Sequence, residues 1–186
     1  RFPSDGPTQR ATYRHRRPGM TKVEAIESLL VMARERVHVP VSTALFGFNS
    51  WHRMGNWIGQ SIETLSEYVD VISPMFYPSH FPTAFLSDQT YLDRAFTIYR
   101  TGVDRAQQLV GARSVVRPYV QAFLIGGELA MERPEYGRYL IQQLAGTSEA
   151  GGSGFTLWNA SNRYYMVTES LSRFARPLLT AESALD

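Results

Sequence analysis

The residues of this 186-residue chain best suited to chemistry stand at the ends of apolar runs. In VDVISPMFYPSHF, Val69 to Phe81, a run of the buried type ends abruptly in Tyr77, Ser79 and His80. Other runs end in Phe46, Phe48, Asn49, Ser50 and Trp51, in Tyr119, Gln121 and Phe123, and in Trp158, Asn159 and Asn162. Flat aromatic faces mixed with amides and hydroxyls suit a sugar ring. Its C–H face packs on aromatic rings, and its hydroxyls need donors and acceptors. Phosphate would call for clustered Lys and Arg or for nests of backbone N–H groups, and these run ends hold little of either. Trp51, Tyr77, His80, Gln121, Trp158 and Asn159 are therefore the candidate substrate contacts.

Cleaving a glycosidic bond generally takes two carboxyl groups, about 5 Å apart for retention or about 6.5–9.5 Å for inversion. Asp5 is the best candidate, since it follows an opening run beside Ser4 and before Gly6. A turn Asp bonding its own backbone is the alternative reading. Glu128, a loop away from the run that ends at Ile125, is the second candidate, with an ordinary loop acid as its alternative. Asp70 opens its strand at the opposite end and reads as a structural acid or cap. Glu63 and Glu67, four apart, read as a solvated helix face, and Asp88 as a helix cap.

Other chemistries are disfavoured. The four histidines show no HxH or HExxH spacing, so no metal site is expected. His80 reads either as a hydrogen-bond donor to substrate or as a satisfied rim residue. Ser79 lacks the G-x-S-x-G elbow of a serine hydrolase. With no cysteine, disulfides, thiolate ligands and cysteine nucleophiles are excluded. No cofactor is expected, because no glycine-rich fingerprint follows any strand.

These residues need elements to position them. Thr21–Val37 has helical spacing and a Thr21/Glu24 capping box. Val39–Phe48 reads as a strand, Ile58–Tyr68 as a helix, Val69–Phe76 as a strand and Tyr91–Val110 as a long helix. Ser114–Ile125 reads as a strand, Pro134–Gly146 as a helix, Gly154–Trp158 as a short strand and Tyr165–Phe174 as a last helix. Strict alternation with apolar strands implies α/β architecture with a parallel sheet covered by helices. An open doubly wound sheet and a (β/α) barrel of TIM type compete. The missing fingerprint and the aromatic, polar strand ends favour the barrel, whose chemistry lies at the C-terminal ends of its strands.

Composition fits one domain: 44% of residues are hydrophobic and 19% charged. Residues 1–176 form the expected domain and 177–186 a frayed tail. A net charge of +2 gives no reason to expect nucleic acid, and RHRRPG at Arg14 to Gly19 reads as a solvated loop, with a polyanion contact as the alternative. No run approaches the roughly 20 apolar residues of a membrane span. RFPSDG reads as the interior of a structural element, without a leader.

RFPSDG, IGQSIETLSEYVDVISPMFYPSHF, RPYVQAF and GFTLWNAS, in that order, resemble a family of bacterial glycoside hydrolase-like proteins long described only as a domain of unknown function. The resemblance spans nearly the whole chain, and DVISPMFYPSHF is its most specific part. It implies a TIM barrel related to the α-amylase and chitinase-like glycosidases, here its C-terminal portion, about strands 4 to 8. It also implies a glycan substrate, an N-terminal half of the barrel on other residues or on another chain, and an extracytoplasmic location. The family pattern carries Asp where Ala122 stands and Trp where Tyr119 stands. Ala122 cannot ionise. The expected activity is thus glycoside hydrolysis by carboxylate acid/base chemistry, and the alternative is an inactive barrel used for carbohydrate binding or structural assembly.

Overall fold

The computed structural model describes residues 14–15, 17–52, 58–165, 167, 171 and 174. Asp5, Ser4, the tail 177–186 and most of the expected last helix lie outside them.

The described residues form a mixed α/β fold around a parallel sheet. The strands are β1 (Ser42–Phe46), β2 (Val71–Met75), β3 (Val115–Val116), β4 (Tyr119–Gln121) and β5 (Thr156–Trp158). The order is β1-β2-β4-β5, and β3 also pairs with β2. Every pairing is parallel. The helices are α1 (Lys22–Arg34), α2 (Asn49–His52), α3 (Ile62–Ser66), α4 (Tyr91–Val110) and α5 (Arg133–Glu149). Short 3-10 turns cover Pro78–His80 and Gly126–Ala130.

The expected capping box starts α1. Thr21 Oγ1 accepts the Glu24 N–H at 3.1 Å, and Glu24 accepts the Thr21 N–H at 2.7 Å. The long helix runs over the expected Tyr91–Val110. Its cap is Thr90 rather than Asp88: the Thr90 hydroxyl accepts from the Asp93 N–H. Ala95, Ile98, Tyr99, Gly102, Val103, Ala106 and Val110 recur at helical period and are buried against the sheet. Gly146 lets α5 close onto α4, because a Cβ there would meet the Phe96 carbonyl at 2.5 Å.

Two further expectations are corrected. The helix expected over Ile58–Tyr68 is regular only over Ile62–Ser66, where the Ser61 side chain caps it. The strand expected over Ser114–Ile125 is broken into β3 and β4, and Glu128 then sits in a 3-10 turn. Proline explains the break. Ile72 pairs with Val116 and Met75 with Tyr119, so Pro74 stands opposite Pro118. Neither has an N–H, so the ladder between these strands is interrupted at that level and resumes only at Met75 and Tyr119.

Alternation divides the sheet. Leu45, Ile72, Val116 and Val120 face the helix layer and join Ile98, Tyr99, Val103, Leu140 and Leu144 in the core. Ser42, Ala44, Ser73, Tyr119, Thr156 and Trp158 lie on the other face, where Ser42 and Ser73 hydroxyls bond at 3.0 Å. Ser42, Ala44, Thr156 and Trp158 are exposed there.

Asp70 holds the opposite end of the sheet. Its carboxylate accepts the Val41 N–H at 2.7 Å and pairs with Arg34 at 3.0 Å. The Val41 hydrogen bond, and then Arg34, hold its pKa below the usual aspartate value. The folded state therefore favours the carboxylate. Its stabilisation is complete above the ordinary Asp range and is lost as pH falls through the lowered folded value. Asp70→Asn is expected to melt below the parent at neutral pH. The gap should shrink as both are melted at pH values below the carboxylate range, and a gap that does not change with pH would contradict this placement.

Candidate functional site

The C-terminal ends of β2 and β4 lie side by side, and their exits form one polar and aromatic group. After β2 the chain passes Phe76 and Tyr77 into the turn Pro78–His80. After β4 it passes Ala122 and Phe123 to the turn Gly126–Ala130, which contains Glu128. The rings of Tyr77 and His80 are 5.4 Å apart, and Phe123 lies 5.3 Å from Tyr77 and 6.0 Å from His80. His80 is exposed and Tyr77 buried.

Gln121 is the junction of the group and is 0% exposed. Its Oε1 accepts the Ser79 N–H at 3.1 Å and the Ser79 hydroxyl at 2.9 Å. Its Nε2 donates to the Phe123 carbonyl at 2.9 Å and to Glu128 Oε2 at 2.7 Å. These bonds occupy both Nε2 hydrogens and both lone pairs of Oε1. The Gln121 carboxamide is thus committed to the protein's own rim.

Glu128 is 3% exposed. Its Oε1 accepts the Tyr139 hydroxyl at 2.5 Å, and its Oε2 accepts Gln121 Nε2 and, at 3.4 Å, the Ile125 N–H. Burial, then the Glu128 charge, raises the Tyr139 pKa far above that of a free phenol, so this hydroxyl stays a donor. Burial likewise raises Tyr99 and Tyr77. The Tyr136 hydroxyl is buried without a hydrogen-bond partner.

Two more groups hold the rim from below. The Gln143 carboxamide on α5 accepts the Gln121 N–H at 2.8 Å and donates to the Gln121 carbonyl at 3.1 Å. It takes the place of a strand where the ladder fails. Arg94 on α4 is buried, and its guanidinium donates to the carbonyls of Phe85, Pro78, Phe81 and Pro82 at 2.8–3.3 Å. One cation thereby shapes the loop that carries Ser79 and His80.

The other candidates are placed as follows. Asn159, just after β5, is buried and bonds the Ala122 carbonyl at 2.5 Å and the Arg163 carbonyl at 3.0 Å. Trp158 pairs in register with Gln121, is 46% exposed and meets Tyr119 edge-on at 6.2 Å. Trp51 lies elsewhere, packed edge-on against Phe76, Phe81 and Phe85 and against Gly102 of α4. Ala122 is fully buried in the hydrophobic core. Tyr77, His80, Gln121, Glu128 and Asn159 are brought together, Trp158 stands beside them on the open sheet face, and Trp51 braces the loop from the core side.

Sequence reasoning missed Tyr139, Gln143 and Arg94. Each is one residue on an amphipathic helix, where period and polarity mark it as ordinary. Among the described residues no three metal-ligating side chains converge, and no helix is long and apolar enough to cross a membrane.

A family model described as a putative glycosyl hydrolase domain matches residues 1–164. The chain belongs to this family. Comparisons with curated proteins and with solved structures give no match. Within the family's span, residues 1–164, lie all the side chains of the rim described above.

Arg94→Met would remove the guanidinium from four loop carbonyls, of which Pro78 and Pro82 keep a backbone donor and Phe81 and Phe85 lose the donor that Arg94 supplies. A loss of about 2–4 kcal/mol in denaturant unfolding is expected, from the cost of unpaired buried polar groups. A loss below about 0.5 kcal/mol would show that the loop holds its shape without the guanidinium.

Proposed function

We propose that this chain is the C-terminal portion of a (β/α) barrel glycoside hydrolase acting on a polysaccharide or cell-envelope glycan. The observation that carries the reading is the rim itself. This chain matches a family described as a putative glycosyl hydrolase domain, and it has a buried carboxyl group, an imidazole and aromatic rings together at the C-terminal ends of parallel strands, where barrel enzymes carry their chemistry. The barrel form is supported by a sheet face that leaves Ser42, Ala44, Thr156 and Trp158 exposed. Further βα units, on other residues or on another chain, would cover that face and the outer strand edges. Glycan substrates place the protein in the envelope or outside the cell.

In this reading Asp5 is the acid or nucleophile and Glu128 the second carboxyl group. Tyr77 and His80 contact sugar at the rim, Asn159 shapes the exit of β5, and Trp158 offers a stacking face. A second reading, an inactive barrel for carbohydrate binding or assembly, draws on two observations. Ala122 is a core methyl group, and both Glu128 oxygens are already engaged by protein donors.

Reducing-end release from a broad glycan panel by the full-length protein separates the two. Asp5→Asn and Glu128→Gln are each expected to lower turnover about 100-fold or more, the usual scale for a positioned acid or base, with sugar binding retained. Parental rates in both variants would remove Asp5 and Glu128 from the chemistry, and no turnover by the parent on any glycan would favour the inactive module. Trp158→Ala is expected to weaken glycan affinity by about 1–2 kcal/mol in calorimetry, as removal of a stacking face does, and to leave the melting temperature near that of the parent. Unfolding without a separate binding effect would make Trp158 a packing residue.

A further inference from the structure

We infer that Gln121 is the positioning residue of Glu128, and that the backbone of the Ser79 turn sets its orientation. This rests on the glycosidase reading above and deepens it.

The argument is one of donors and acceptors. A carboxamide can be turned so that either its oxygen or its nitrogen faces a given neighbour. At Gln121 the choice is made by the Ser79 N–H, which can only donate, at 3.1 Å. The oxygen must face Ser79, so the NH2 must face the other way. There it finds the Phe123 carbonyl at 2.9 Å and Glu128 Oε2 at 2.7 Å, both pure acceptors when the acid is ionised. The reverse orientation would set donor against donor at Ser79 and acceptor against carboxylate at Glu128.

The base of the side chain is equally fixed. The Gln121 N–H and C=O are both held by the Gln143 carboxamide, and the N–H also lies 3.2 Å from the Tyr99 hydroxyl. The second Glu128 oxygen is held by Tyr139. Gln121 thus ties three chain segments together: the turn bearing Ser79 and His80, the strand β4, and the turn bearing Glu128. A sugar hydroxyl that moves the Ser79–His80 turn is transmitted to the carboxylate through one amide.

The titratable or charged groups around the pair are Arg94 and Tyr99 on α4, Tyr136 and Tyr139 on α5, and Tyr77 and His80 after β2. The four tyrosines are raised above their ordinary values and so keep their protons in acid and neutral solution, and His80 is common to the parent and the variants.

Gln121→Glu tests the inference in the full-length protein. When protonated, this Glu keeps the two bonds the inference turns on: its carbonyl accepts from Ser79 and its hydroxyl donates to Glu128, while the Phe123 carbonyl loses its donor. When ionised, it sets two carboxylates against each other, and they must share a proton. Turnover relative to the parent is expected to rise at least tenfold as pH falls from about 7 to about 5, with KM changed less than threefold. Taking the ratio at each pH cancels groups common to both proteins, and circular dichroism checks folding over the same range. A flat ratio in folded protein overturns the inference, since a merely structural role would follow stability alone. Gln121→Met is the second variant. It cannot donate to Glu128 at any pH, and a flat, at least tenfold loss of kcat is expected. Parental kcat in folded Gln121→Met overturns the inference. A readout independent of turnover is the 13C carboxyl resonance of Glu128, assigned by its absence in Glu128→Gln. In Gln121→Glu it is expected to titrate as one of a coupled pair, and a titration unchanged from the parent overturns the inference. If the parent turns over no glycan, the glycosidase reading fails, and this resonance still decides the role of Gln121.

Discussion

The arrangement of the rim follows from two prolines facing each other across the middle of the sheet. Pro74 of β2 stands opposite Pro118, between β3 and β4, and neither can donate to a ladder. Above that level β2 and β4 pair only at Met75 and Tyr119, and the backbone groups of β4 that face β2 beyond it need other partners. An unpaired buried N–H or C=O costs as much as a lost hydrogen bond. Helix side chains meet that need. Gln143 and the Tyr99 hydroxyl reach up from α5 and α4 to serve Tyr119 and Gln121. Gln60 does the same at β1, accepting the Phe46 N–H at 2.9 Å and donating to the Ala44 carbonyl at 3.4 Å. Side-chain amides thus replace missing strands where the sheet opens, and the opening is where the polar residues collect.

Two buried charges then give the opening its shape. Arg94 draws four carbonyls of the loop after β2 onto one guanidinium. Its planar fork can serve several acceptors at once, which an ammonium on a flexible stem does less well. Glu128 gathers donors from α5, from β4 and from its own turn. Each charge is held by hydrogen bonds rather than by a direct ion pair with the other. Apolar packing lies beneath. Trp51 and Phe76 fill the space over Gly102, whose missing side chain makes room for them, and Phe81 and Phe85 pack edge-on against Trp51. The rim is polar at the surface, satisfied just below it, and aromatic at its foundation.

Much of the secondary structure was legible in the sequence. The span Tyr91–Val110 could be read because its apolar residues keep a 3.6-residue period for twenty residues. The start of α1 could be read because Thr21 and Glu24 carry a local, three-residue signal. The failures share a cause as well. The strand Ser114–Ile125 looked continuous because its residues are apolar and β-branched, and the effect of Pro118 depends on what stands opposite. Trp51 looked like a rim residue because it closely follows β1. The turn into α2 folds it back against α4.

Local pattern therefore determined the α/β alternation, the parallel sheet and the grouping of aromatic and amide residues at strand ends. Those properties depend on short-range periodicity and on the chemistry of single side chains. Tertiary structure alone decided that Gln121 is bound by Ser79 and Glu128, that Gln143 stands in for a strand, and that Arg94 lies beneath the loop. Each of these contacts joins residues distant along the chain or on different elements, and hydrogen-bond complementarity at such a distance leaves no periodic trace in the sequence.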